Sequence, residues 1–139
     1  MDTPAAAYPT SAAIAAIGLD HTRLSYAYLN SGDIDGYASL FHADVVVRRP
    51  DSTTIHGRDA LEHAQACGNG RQPGRYVVYT LFASERRVAA TGRYEIAATG
   101  ETVEFADIFT IAESGLILAQ STYFFVPPAA SVGRDRRNS

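Results

Sequence analysis

The sequence predicts an α+β fold, and three observations carry that prediction. Segments with helical periodicity are confined to the part of the chain before residue 68. Everything after the Gly-rich stretch 68–74 reads as strand, in four segments joined by short turns. A chain of 139 residues, 46% hydrophobic, is long enough for one domain with a substantial core and too short for two. Helices segregated to one side of an antiparallel sheet define the class.

Residues 1–9 hold two Pro and three Ala, offer little to pack, and are read as a disordered N-terminus. Thr10 or Ser11 caps a first helix running to about Asn30. Ile14, Ile17, His21, Leu24 and Tyr28 follow steps of three and four and are expected to share its inward face, with Ser25 beside the stripe and Leu29 flanking it. Gly32 supplies the positive φ that ends the helix, and Asp33 caps a second, short helix over 34–41, with Ile34, Tyr37, Ala38 and Phe41 as its apolar stripe.

Asp44 opens a strand, Val45 to Arg49, that Pro50 stops. A turn at Pro50-Asp51-Ser52 leads to a short partner strand from Thr53 to His56. A third helix spans Arg58 to about Cys67, with Leu61, Ala64 and Cys67 inward and the Cys67 thiol expected to be buried and inert. The meander comprises Arg75–Ala83, Arg87–Ala98, Glu101–Glu113 and Leu116–Val126. Pro127 and Pro128 end the domain, set at 10–127, and the tail 128–139 is read as disordered despite Arg134, Arg136 and Arg137. Residues 76–83 are apolar on both faces. Helices cover one face of the sheet, and the other predicts a homodimer interface.

Composition excludes several functions. Net charge is −3, which gives no electrostatic reason to expect nucleic acid or an anionic membrane. No apolar run approaches a membrane span, and the Ala-rich start lacks a basic n-region, so the chain is read as cytoplasmic. All 12 fixed side-chain cations are Arg, which excludes Schiff-base lysine chemistry and a phosphate-loop lysine. The single cysteine excludes an intrachain disulfide. The four His show no metal-binding spacing, so no metal or other cofactor is expected, and His21 is the only one placed to act as an acid or base. Serine-hydrolase and dinucleotide motifs do not occur.

The stretch ETVEFADIFTIAE, residues 101–113, organises the functional reading. Alternation puts Val103, Phe105, Asp107, Phe109 and Ile111 on one face, apolar except at Asp107. A carboxyl in such surroundings has a raised proton affinity and serves as a general acid or hydrogen-bond donor. The structural alternative is a carboxylate buried against an Arg or backbone amides to fix the sheet. Were Arg49 beside it, the guanidinium would lower its pKa and favour a base instead.

LNSGDIDGYASLFHADVVV, followed after a turn by GRDALEHA, resembles the start of the nuclear-transport-factor-2-like superfamily, in particular its SnoaL-like polyketide cyclases and ketosteroid isomerases. The resemblance covers about residues 12–126. It implies a curled antiparallel sheet with three N-terminal helices enclosing a cone-shaped pocket, a cystatin-like α+β barrel. By this match Asp107 falls where the isomerases have the protonated Asp of the oxyanion hole and the cyclases a pocket His. Arg49 falls at the isomerase general base. Ser25 falls at the oxyanion-hole Tyr, with Tyr28 one turn on able to reach the same space. Thr122 falls at the cyclase acid, and Asn30 at the helix-end Asp of related dehydratases. The resemblance also turns the faces bearing Tyr94, and Gln120, Thr122 and Phe124, toward the pocket.

The expectation is a cofactor-independent enzyme that moves a proton on an apolar, carbonyl-bearing ring compound, such as a polyketide or steroid. The reaction would be isomerisation, cyclisation or dehydration. Asp107, Arg49 and Tyr28 would be catalytic. Ser25, Leu29, Tyr94, Phe105, Phe109, Gln120, Thr122 and Phe124 would bind substrate. The alternatives are a non-catalytic carrier or accessory protein with the same pocket, and a scaffold whose cavity is filled by side chains.

Overall fold

The computed structural model describes residues 10–50, 52–68 and 72–125. The expectations placed on residues 1–9, Asp51, 69–71 and 126–139, which include both termini and the end of the last predicted strand, lie outside the described residues. The elements are α1 (Ser11–Ser31), α2 (Ile34–Ser39), β1 (Phe41–Arg48), β2 (Ile55–His56), α3 (Arg58–Ala66), β3 (Gly74–Ser84), β4 (Arg87–Ile96), β5 (Thr102–Ile111) and β6 (Ile117–Phe124).

The helix boundaries follow from local chemistry. The Thr10 side chain accepts the Ala13 N–H at 3.0 Å and caps α1. Gly32, at φ 79°, closes α1 in the left-handed region, and the Asp33 N–H returns to the Tyr28 carbonyl at 3.0 Å. Asp33 in turn caps α2 by accepting from Gly36 N–H at 2.9 Å. No helix among the described residues is long and apolar enough to cross a membrane.

The buried face of α1 differs from the expected one. Ile14, Gly18, Thr22, Ser25 and Tyr26 are buried, whereas Ile17 and Leu24 are 41% and 39% exposed. The helix seats on small residues because it lies close to β5. A Cβ on Gly18 would fall 2.5 Å from the Ile111 side chain. Close approach here outweighs the larger apolar area of the Ile17–Leu24 stripe, and it rotates the helix by about one residue position, roughly 100°.

Six strands form one sheet in the order β2-β1-β6-β5-β4-β3. The meander from β3 to β6 is antiparallel throughout, as the short turns predict, while β1 runs parallel to β6. The parallel pair was outside the reach of local pattern, because β1 and β6 meet only through tertiary structure. The sheet curls without closing. Phe41 belongs to β1 rather than α2, since it pairs with Ile117 and is fully buried. The predicted partner strand shrinks to Ile55–His56. Cys67 falls past the end of α3 and is exposed, which corrects its expected burial.

The concave face of β5 presents Phe105, Asp107, Phe109 and Ile111, all buried against the helices. Burying each Phe contributes on the order of 2–3 kcal/mol. The core continues through Tyr37, Phe41, Val45, Val47, Leu61, Val88 and Ile117. On the outer face, Tyr79, Phe82 and Tyr123 are exposed.

Candidate active site

Asp107 sits mid-strand on β5, opposite Thr122 of β6 and Ala90 of β4. Its side chain is 2% exposed and lines a cavity of about 500 Å³. The Tyr26 hydroxyl donates to Asp107 Oδ2 at 2.5 Å, and the Thr122 hydroxyl donates to Oδ1 at 2.5 Å. Burial pushes the Asp107 carboxyl above its ordinary range. Hydrogen bonds from Thr122, Tyr26 and Gln120, and then the Arg49 charge, pull the other way without cancelling it. Such a carboxyl has raised proton affinity yet keeps donors in place for its ionised form.

Tyr26 was not among the residues expected here. It arrives by the rotation of α1: Gly18, Thr22 and Tyr26 lie at steps of four along the buried face. Burial, and then the Asp107 carboxylate, hold its phenol well above the ordinary tyrosine range, so it remains a neutral donor. Its ring is packed at 5.5 Å from Tyr76, 6.0 Å from Phe105 and, edge-on, 6.2 Å from Phe109. A step-of-four pattern of small residues ending in a Tyr was the sequence signal that could have found it.

Nine of the predicted residues line the cavity: Ser25, Leu29, Arg49, Tyr94, Phe105, Asp107, Gln120, Thr122 and Phe124. Two do not. Tyr28 faces α2, where its ring lies 3.1 Å from the position of a Cβ on Gly36, and its expected place at the carboxyl is taken by Tyr26. Phe109 is 1% exposed and sits in the core behind Tyr26, so it buttresses the site rather than walling it. Tyr37, Ser52, Gln72, Tyr76 and Ile96, which were not expected as site residues, complete the lining together with Val103, which alternation puts on the Asp107 face of β5. His21 also lies elsewhere, with Nδ1 2.6 Å from the Gly115 carbonyl, tying α1 to the β5–β6 turn.

The polar lining groups differ in what they have left to offer. The Ser25 hydroxyl donates to the Thr22 carbonyl at 2.7 Å, and the Tyr94 hydroxyl to the Gln72 carbonyl at 2.6 Å. Both protons are committed to backbone. Arg49, just past the end of β1, differs: its Nε is buried and has no hydrogen-bond partner among the described residues. The arrangement is thus a carboxyl with raised proton affinity and a guanidinium with an unused donor, in a cavity walled by Leu29, Ile96, Val103, Phe105 and Phe124. It can accept and return a proton, and it can stabilise negative charge on a ligand oxygen.

Residues 22–120 match the SnoaL-like domain model. No curated protein matches the sequence. Among solved structures, a protein of unknown function with a cystatin-like fold from Methylobium petroleophilum PM1 superposes with a TM-score of 0.72 at 14% identity, covering 81% of this chain and 78% of that one. TerC co-crystallised with polyporic acid gives 0.71 at 19% identity, covering 85% and 96%. A putative ketosteroid isomerase from Kribbella flavida DSM 17836 gives 0.68 at 20% identity, covering 82% and 84%.

Proposed function

Because the chain belongs to the SnoaL-like domain family, we propose that it is a cofactor-independent enzyme that moves a proton on an apolar, carbonyl-bearing ring compound. The observation that carries the reading is the placement of Asp107: a buried carboxyl, raised in proton affinity, at the wall of a cavity large enough for a small ring system. The likeness to a putative ketosteroid isomerase and to a protein co-crystallised with polyporic acid supports the choice of substrate class.

In the proposed reaction, ionised Asp107 takes a proton from the carbon next to the substrate carbonyl. The C–H electron pair becomes the enolate double bond, and the negative charge moves to the carbonyl oxygen. Arg49 stabilises that charge. Tyr26 and Thr122 hold the carboxyl in place and moderate its basicity. The enolate then takes the proton back from Asp107 at another carbon (isomerisation), attacks a second carbonyl whose alkoxide takes that proton (cyclisation), or expels a β-hydroxyl that leaves with it as water (dehydration). Phe105, Phe124 and Val103 keep water from the enolate.

The test is exchange of α-hydrogens in D₂O across a panel of cyclic ketones and 1,3-diketones, followed by proton NMR. The native protein should catalyse exchange into at least one of them, and Asp107→Asn should lower the rate by about 10²–10⁴-fold. Undiminished exchange in Asp107→Asn would remove Asp107 from the mechanism. The second reading is a carrier with the same pocket. It is favoured by the satisfied state of Asp107, whose two oxygens already accept from hydroxyls. A carrier would bind panel members and return them without deuterium.

A further inference from the structure

The two charged groups that line the cavity among the described residues are partnered very differently. Asp107 accepts two hydroxyl donors, one at each oxygen. Arg49 has a buried Nε with no acceptor, and no ion pair joins it to a carboxylate among the described residues. A buried guanidinium donor left unmatched costs free energy comparable to a lost charge-assisted hydrogen bond. A ligand that brings an acceptor removes that cost, and one that brings a negative charge removes most of it.

We infer that the cavity selects ring compounds that already carry an oxyanion, in the simplest case a carboxylate, and that Arg49 is the group that holds it. Hydroxyl groups carry no charge, so they do not by themselves favour an acid over its amide. The Ser25 and Tyr94 protons are moreover used by backbone carbonyls, and the Tyr26 and Thr122 protons by Asp107. Arg49 is therefore the lining group with an unspent donor and a positive charge together. Asp107 opposes an anion in the same cavity, but Tyr26 and Thr122 stand against its two oxygens and disperse its charge. The remaining walls at Leu29, Ile96, Val103 and Phe105 fit the apolar ring. Arg49 then anchors the ligand in the ground state through part of its five-donor fork, and the rest of the fork remains for the oxygen that gains charge in the proposed reaction.

The inference rests on the cavity being a ligand site, as the proposed function does, and not on turnover. It is tested by calorimetry with matched pairs: benzoate and benzamide, 2-naphthoate and 2-naphthamide, anthracene-2-carboxylate and its amide. At least one acid should bind about tenfold or more tightly than its amide at neutral pH, and added salt should weaken the acid only. Arg49→Gln should abolish the preference by weakening the acid far more than the amide, and Arg49→Lys should restore part of it, with circular dichroism confirming that both variants fold. Equal binding of acid and amide, an unchanged preference in Arg49→Gln, or no binding of any acid at about 1 mM would each overturn the inference. Failure of the exchange test with the acid preference intact would remove the enzymatic reading alone. The reverse pattern would remove only the anchor.

Discussion

The Tyr26 hydroxyl and Asp107 Oδ2 lie 2.5 Å apart although 81 residues separate them in the chain. This hydrogen bond joins the long helix α1 to β5, and with the Thr122 bond it opposes the burial that raises the proton affinity of the carboxyl at the cavity wall. Tyr26→Phe removes the donor and keeps the ring that packs against Tyr76 and Phe105. The ionised carboxylate then loses one of its supports, while burial, the force that raises the Asp107 pKa, is unchanged. The Asp107 pKa should rise further, since a donor that favours the ionised form is gone. Titration of the ¹³C-labelled Asp carboxyls by NMR reads this directly. An unchanged pKa would show that the bond does not hold the ionised form.

Asp107 also links stability to pH. Its folded pKa lies above its ordinary value, burial being the cause, so at intermediate pH the native state binds more protons than the unfolded chain. The group's contribution to stability is full below the ordinary carboxylate range and is lost as pH rises through the folded pKa. Asp107→Asn does not titrate; its carbonyl oxygen can accept from the Thr122 hydroxyl, while its amide nitrogen faces the Tyr26 hydroxyl and leaves that proton without its acceptor, a fixed cost at every pH. The variant's stability relative to the native protein should therefore rise from acid to neutral pH, as native Asp107 is made to ionise in a buried site. Thermal melts of both proteins from acid to neutral pH check it. A difference in Tm that does not change with pH would contradict the linkage.

Most of the sheet was legible in the sequence because strands carry their faces in their alternation. Alternation grouped Phe105 with Asp107 and Gln120 with Thr122 and Phe124, the family resemblance turned the second group toward the pocket, and all five line the cavity. The helix was harder. Its large apolar residues at Ile17 and Leu24 advertise a stripe that the protein leaves half exposed, while Gly18, Thr22 and Ser25 are buried. Hydrophobicity records how much a residue gains from burial, and it does not record how closely a helix must approach a sheet. The space taken by Ile111 over Gly18 decides that distance, and it replaces Tyr28 by Tyr26 at the carboxyl. The parallel pairing of β1 with β6 was illegible for a related reason, since it depends on where two distant segments meet.

Asn30 gives the last prediction. Its Nδ2 donates to the Tyr76 carbonyl at 2.9 Å, and its Oδ1 accepts the Tyr76 N–H at 2.7 Å. The side-chain amide thus serves both backbone groups of one residue on the edge strand β3, as a neighbouring strand would, and fixes the end of α1 beside the cavity wall. Asn30→Ala should cost about 1–2 kcal/mol, less than two buried bonds because water replaces part of the loss at this exposed position. Asn30→Asp is the sharper variant. A carboxylate can accept from the Tyr76 N–H but has no proton for the Tyr76 carbonyl, and it sets two acceptors face to face. It should destabilise at pH 7 by at least as much as Ala, and recover below about pH 4, where the carboxyl regains a proton. Urea denaturation at both pH values measures this, and amide hydrogen exchange at Tyr76 should quicken in step with the loss. Native stability of Asn30→Asp at pH 7 would mean that the clasp contributes nothing to holding helix and edge strand together.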